Sequence, residues 1–158
     1  MDTKTKRVLE KVTPLVQKKE HLEVIKLLKT AIDDGLKGEM ISGLLASSYA
    51  EIGMKEKAQA CLQDVLKFNS KNYLALFQLG MLDFNTANFH ESIKYLEPVA
   101  AQSSDFVANY WIARSYLELD QLEQAKPYIH IAHQRVPSQH ELSGSIQQLA
   151  DRLVGVQS

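Results

Sequence analysis

The feature that most restricts the fold of this chain is a set of small residues at almost constant spacing. Ala46, Gly80 and Ala113 lie 34 and 33 residues apart. Four further columns keep the same two steps: Ala58, Ser92 and Ala125; Leu62, Leu96 and Ile129; Tyr49, Asp83 and Tyr116; Gly53, Ala87 and Asp120. A repeat of this length predicts supersecondary units that stack on one another, because one unit alone cannot bury its apolar face.

Each repeat contains two segments whose apolar residues follow the helical spacing of three and four. In the first clear repeat, one segment begins near Ile41 and the other near Ala58. The small residue falls in the first segment, where glycine or alanine allows two packed helices to approach closely. Larger tyrosine, leucine and isoleucine side chains fill the layers above and below. The pattern therefore predicts helix hairpins that cross at Ala46, Gly80 and Ala113.

The three repeats resemble the tetratricopeptide repeat family. The resemblance is carried by the stretches LASSYAEIGMKEKAQACLQDVLKFNS, LGMLDFNTANFHESIKYLEPV and IARSYLELDQLEQAKPYIHIAHQRVP. It implies an all-α fold, a right-handed superhelix (α-solenoid) of antiparallel helix pairs. The chain departs from the family pattern at Asp83, where an aromatic or large apolar residue is usual, and at Ser42 and Asn109, where a bulky residue is common.

The same pattern predicts how the chain is organised outside the clear repeats. Upstream, Val24, Leu28 and Ala31 match the second helix of a degenerate repeat, with residues 3–17 as its first helix. Downstream, apolar residues from Leu142 to Leu153 share one helix face, as a capping helix requires. We therefore expect a single domain, 1–158, made of a degenerate repeat (1–38), three repeats (39–72, 73–105 and 106–139) and a capping helix (140–158).

Composition excludes several classes of function. The net charge is −1, with 45% apolar and 23% charged residues, which is typical of a soluble globular protein. No strong field steers such a chain to nucleic acid or to an anionic membrane. No run approaches the roughly 18 apolar residues of a membrane-spanning helix. The N-terminal stretch has no apolar signal segment, and the single cysteine excludes an internal disulfide, so we expect a cytoplasmic protein.

Residues that carry catalytic or metal chemistry are scarce in this sequence. There is no glycine-rich phosphate loop and no GxSxG elbow. Cys61 lies on the apolar side of its helix and is interpreted as a core residue. His130, His133 and His140 suggest a metal site, but no carboxylate or cysteine lies at ligand spacing beside them. We expect no enzyme, no cofactor and no metal, with a metal or enzyme site at the three histidines as the weakest alternative.

The resemblance implies that the first helix of each repeat lines a concave surface that takes up an extended or helical peptide. Only the third repeat adds a tryptophan there, Trp111. The lysine, arginine and asparagine set that captures a C-terminal carboxylate in some family members is largely missing, and only Arg114 could contribute. The predicted groove residues are Phe77, Gln78, Met81, Phe84, Tyr110, Trp111, Arg114 and Leu117.

These residues favour a protein–protein interaction module that binds an apolar and aromatic segment and acts as adaptor, scaffold or escort. In this hypothesis the aromatic residues and Met81 anchor the partner, and Arg114 and Gln78 set its register. Two alternatives remain at the level of sequence. Trp111 and its neighbours could instead pack between adjacent first helices, and the chain could associate with copies of itself through the groove or a terminal face.

Overall fold

The structure is a computed structural model that describes residues 1–103 and 105–154, and every regular element in those ranges is an α-helix. The elements are α1 (Thr3–Gln17), α2 (His21–Asp33), α3 (Glu39–Glu51), α4 (Lys55–Phe68), α5 (Tyr73–Asn85), α6 (Phe89–Ser103), α7 (Phe106–Glu118), α8 (Leu122–Arg135) and α9 (Ser143–Val154). The predicted all-α fold of helix pairs is confirmed, including the first helix at residues 3–17 and a helix at the C-terminal end.

Four turns, each between the two helices of a pair, share the same backbone geometry. Lys19, Gly53, Ala87 and Asp120 adopt φ values of 58°, 78°, 62° and 57°. After each of them, the next backbone N–H donates to the carbonyl five residues earlier, at 2.8–2.9 Å. This is the Schellman arrangement, in which a left-handed residue ends a helix and satisfies its last carbonyls. Lys19 lies 34 residues before Gly53, the same step as in the sequence columns, and the assignment of residues 1–38 to a degenerate repeat stays a prediction.

The described contacts divide the chain into two compact units, Met1–Ala75 and Leu76–Ser158. In the first unit, buried residues from α1 to α4 form one core around Val24, Leu28 and Ile41. The amides of Asn69 and Asn72 both donate to Oε1 of Glu39, at 3.0 and 2.6 Å, and so join the end of α4 to the start of α3. The predicted boundaries of the individual repeats stay a prediction.

In the second unit, Gly80 lies at the predicted crossing of α5 and α6. A Cβ atom added there would lie 2.6 Å from Cγ of Leu96, which is fully buried. The hydroxyl of Ser92 donates to the Gly80 carbonyl at 2.8 Å. The hydroxyl of Ser115 in α7 donates in turn to the Ser92 hydroxyl, at 3.5 Å. Ala46 and Ala113, in the same sequence column, are also buried. The predicted close approach of two helices is therefore present at Gly80, and the alanines at the matching positions are buried.

Helix α9 completes the core of the second unit. Ile146 is fully buried, and with Leu149 and Leu153 it joins one cluster with Ile129 and Ala132 of α8. An exposed apolar face on the last repeat would cost free energy, and α9 removes that face from water. The predicted C-terminal capping helix is confirmed as α9, and residues 155–158 of the predicted range 140–158 lie outside the described residues.

Candidate functional site

An aromatic cluster connects α5, α6 and α7 in the second unit. The ring of Phe84 in α5 lies 4.8 Å from that of Trp111 in α7 and 5.4 Å from that of Phe89 in α6. The rings of Tyr110 and Trp111 are 5.2 Å apart, and all three pairs are edge-to-face. Each edge-to-face pair stabilises the fold by roughly 0.5–1.5 kcal/mol, in addition to the effect of burying the rings. The cluster is thus a firmly held surface on which Phe84 and Trp111 stay half-buried.

Arg114 lies against this cluster and is held from several sides. Its guanidinium carbon is 5.9 Å from the ring centres of Phe84, Tyr110 and Trp111. Its Nη1 donates to the Tyr110 hydroxyl at 3.1 Å, and its Nη2 lies 4.0 Å from Oε1 of Glu118. Its side chain nevertheless remains 36% exposed. The result is a cation that is ordered before any ligand arrives.

Seven of the eight predicted groove residues are half-buried side chains on α5 and α7. They are Phe77, Gln78, Met81, Phe84, Trp111, Arg114 and Leu117. Residues of this kind combine fixed positions with some free surface, as an interaction surface needs. Their role in binding stays a prediction.

Tyr110 differs from the prediction because it is only 4% exposed. Its ring belongs to the core cluster that includes Ile129 and Leu149. Helix periodicity placed Tyr110 on the free face of α7, but the capping helix covers that position. The contribution of Tyr110 is therefore its hydroxyl, which accepts the hydrogen bond from Arg114.

A cavity of about 500 Å³ lies beside Arg114, between α7 and α9. Helix α9 contributes Ser145, Gln148 and Arg152 to its lining. The sequence did not indicate these three residues, because they lie on the polar face of α9 and such a face predicts exposure to solvent alone. The signal that could have found them is the capping role itself, since a helix that packs beside α7 brings its polar edge next to Arg114.

Asp83 is the polar residue that replaces tyrosine in its sequence column, and it is 4% exposed. Its Oδ1 accepts a hydrogen bond from the Asn88 amide at 3.4 Å, while its Oδ2 has no partner among the described residues. Burial raises the pKa of the Asp83 carboxyl, the Asn88 hydrogen bond opposes this change, and the charge of Glu91 adds to it. A buried, partly unsatisfied carboxylate is a local weakness of the helix hairpin.

Replacing Asp83 by asparagine is expected to stabilise the chain at neutral pH and to change its pH dependence. Because the pKa is higher in the folded chain than in the unfolded chain, protonation favours folding, and stability is lost as pH rises through the folded pKa. The variant lacks this loss. Urea unfolding measures the stability of both chains as the pH rises from about 4, near the ordinary carboxyl pKa, to about 8. The control is Asp33→Asn at an exposed position, and equal pH profiles for wild type and Asp83→Asn would contradict the prediction.

The three histidines do not share one location. His133 Nε2 lies 2.7 Å from Gln147 Oε1, and His130 Nε2 lies 3.0 Å from Gln134 Nε2. His140 Nδ1 accepts from the Leu142 N–H, and its ring packs edge-to-face on Phe106. Within residues 1–103 and 105–154, no three histidine, cysteine, aspartate or glutamate side chains are grouped as metal ligands.

Cys61 is half-buried against the core of the first unit, as the sequence indicated, and burial raises the pKa of its thiol. A raised pKa keeps the thiol protonated at neutral pH and less reactive. None of the helices that the structure describes has the length and apolar character needed to cross a membrane.

Residues 41–72 and 107–129 match the family model described as tetratricopeptide repeat. No curated protein matches the chain. Among solved structures, the chain is similar to MamA 41-end from Desulfovibrio magneticus RS-1, with 18% identity, a TM-score of 0.81, and coverage of 98% of this chain and 92% of that one.

The chain is also similar to YrrB, described as a tetratricopeptide repeat protein with an unusual peptide-binding site. The identity is 20% and the TM-score 0.75, over 87% of this chain and 71% of YrrB. A putative kinesin light chain structure with nearly identical repeats of this type gives 17% identity and a TM-score of 0.70, over 99% of this chain and 89% of that one. At such identities the likeness shows the fold alone, and it is the fold class predicted from the sequence.

Proposed function

We propose that this chain, which contains tetratricopeptide repeats, binds an extended or helical segment of another protein along α5 and α7. The bound segment would be apolar and aromatic, and the chain would act as an adaptor, scaffold or escort for its partner. Proteins built of these repeats are generally interaction modules and not enzymes, and we extend that expectation to this chain.

The observation that carries the proposal is the ordered aromatic cluster with Arg114 beside it. Tryptophan, tyrosine and arginine dominate the binding energy of protein interfaces, because they bury large areas without leaving polar groups unpaired. Here Trp111 and Phe84 are half-buried and keep free surface, and the Arg114 side chain is 36% exposed. YrrB, which has a similar fold, is described as having a peptide-binding site, and this supports the same class of function.

The predicted groove residues would make two kinds of contact with a bound segment, apolar contacts and hydrogen bonds. Phe77 and Met81 lie on α5, are half-buried and do not belong to the aromatic cluster of Phe84, Phe89, Tyr110 and Trp111. They would therefore offer apolar surface to a partner. Trp111 and Leu117 extend this surface along α7. Gln78 and Arg114 would donate hydrogen bonds to backbone carbonyls or acidic groups of the bound segment and so set its register.

The experiment begins with peptides selected from a displayed library of random sequences on the immobilised chain. We expect Phe77→Ala and Met81→Ala each to weaken a selected peptide by about ten-fold in Kd, or about 1.4 kcal/mol. The matched control is Leu122→Ala, which removes a large apolar side chain that is 47% exposed on α8. Titration calorimetry measures the affinities, and circular dichroism verifies that each variant is folded.

The proposal fails if affinity survives both α5 substitutions and is lost with Leu122→Ala. It also fails if no peptide is enriched above an empty support.

Self-association is the second candidate function, and the distribution of charge favours it. The unit Met1–Ala75 has 13 lysines and arginines against 10 aspartates and glutamates, whereas Leu76–Ser158 has 5 against 9. Opposite net charges on two parts of one chain promote contacts between copies. Sedimentation velocity over a range of concentrations tests this idea. A dimer that weakens as salt is added would support it, and a monomer at every concentration would exclude it.

A further inference from the structure

A second cavity, of about 590 Å³, lies in the first unit between α1 and α2 and is separate from the surface described above. Its lining combines cations with apolar side chains. Lys4, Arg7 and Lys11 lie on α1 together with the half-buried Val8, and α2 contributes the half-buried Leu27 beside the buried Ala31. The Lys4 ammonium donates to the backbone carbonyl of Asp34, which joins the two helices at one end of the cleft.

The cations of this cleft are largely uncompensated. Arg7 and Lys11 are exposed, and no carboxylate oxygen of the described residues forms an ion pair with either of them. Asp34 is the acidic residue at the rim. Helix α1 as a whole has four basic residues and one acidic residue, Glu10. Charge complementarity therefore selects an acidic ligand.

The spacing of the cations fits an extended chain. Arg7 and Lys11 are four residues apart on α1, which is about 6 Å along the helix axis. In an extended peptide, residues two apart point to the same side and are separated by about 6.6 Å. The residue between them points to the opposite side. One side of such a peptide can therefore present carboxylates to α1 while the other presents apolar groups to Leu27.

We propose that the α1–α2 cleft binds an extended acidic segment of a partner protein, in which glutamate or aspartate alternates with an apolar residue. The cleft runs from Thr3 to Lys11, about 12 Å along α1, which is the length of about four extended residues. The half-buried Leu27 distinguishes this ligand from a nucleic acid backbone, which would leave that apolar side chain without a partner. The proposal does not depend on the function assigned to α5 and α7.

The test uses a fluorescein-labelled peptide of alternating glutamate and leucine, about seven residues long to exceed the cleft. Two peptides serve as controls: one has glutamine in place of glutamate, and the other has serine in place of leucine. Fluorescence anisotropy at low salt is expected to show binding of the first peptide at least about ten-fold tighter than either control, because each control lacks one of the two complementary faces.

Charge reversal then locates the peptide on the protein. Arg7→Glu combined with Lys11→Glu is expected to weaken the glutamate–leucine peptide by at least about ten-fold. The matched control combines Lys6→Glu with Lys29→Glu, which makes the same change in net charge at exposed positions outside the cleft. Added salt should weaken binding to the wild-type chain.

Three results would overturn the proposal. The first is equal affinity for the glutamine peptide, and the second is an equal loss of affinity in the two double variants. The third is a concentration-dependent dimer, seen without peptide, that the Arg7 and Lys11 substitutions abolish, because the cleft would then hold a second copy of the chain. Binding at the α5–α7 surface can succeed or fail independently of all three.

Discussion

Replacement of Ile146 by alanine is expected to lower the free energy of unfolding by about 2–5 kcal/mol. Ile146 is fully buried on α9 and belongs to the cluster that contains Ile129, Ala132 and Leu149. Removing three carbon atoms there loses their transfer free energy and leaves a cavity in a rigid surrounding. The loss should appear in urea unfolding as a lower midpoint with an unchanged slope.

Ser145→Ala is the matched control for this substitution. Ser145 is the preceding residue on the same helix and is exposed, so the change should stay within about 0.5 kcal/mol of wild type. If Ile146→Ala were as mild as its control, α9 would not close the core of the second unit. The capping role would then have to be abandoned.

Gly80→Ala is expected to destabilise the chain, although alanine is the better helix former. The added Cβ would lie 2.6 and 2.8 Å from two side-chain carbons of Leu96 and 3.3 Å from the Ser92 carbonyl oxygen. Leu96 is fully buried, so its displacement would disturb the core around it. Overpacking of this kind costs about 3 kcal/mol at the upper end of its range. The gain of about 1 kcal/mol in helix propensity offsets only part of it.

The same substitution at Gly43 is expected to have the opposite sign. Gly43 also lies within a first helix, α3, but its added Cβ would meet only Cγ2 of Val65, at an ordinary 4.0 Å. Helix propensity then acts alone and stabilises the chain by up to about 1 kcal/mol. Thermal unfolding of both variants provides the comparison. Stabilisation by Gly80→Ala would show that α5 and α6 are not in close contact at this crossing.

Most of the fold was predictable because the repeat specifies packing in several columns at once. The spacing of the small residues predicts helix crossings at Gly80 and Ala113, and both residues are buried. Ala87 and Asp120 share the turn column with Gly53, and all three adopt the left-handed backbone that ends a helix. Periodic sequence signals report local structure and nearest-neighbour packing, which are the interactions that build repeat proteins.

The candidate site was less predictable because its geometry depends on contacts that periodicity does not describe. The burial of Tyr110 follows from the position of α9, which helical spacing within α7 cannot reveal. The ring contacts that surround Arg114 join α5 to α7 across 30 residues of sequence, from Phe84 to Arg114. Asp83 Oδ2, which has no hydrogen-bond partner among the described residues, likewise reflects a single departure from the tyrosine of its column. Individual departures from a repeat are visible in sequence, but their surroundings are not.

Mapping where a selected peptide lies on the chain tests the central claim most directly. Amide hydrogen exchange of the chain, with and without the peptide, reports the protected segments. We expect the largest gain in protection across α5 and α7, around Phe77 to Phe84 and Trp111 to Leu117. Protection confined to α6 and α8, with α5 and α7 exchanging as in the free chain, would contradict the account.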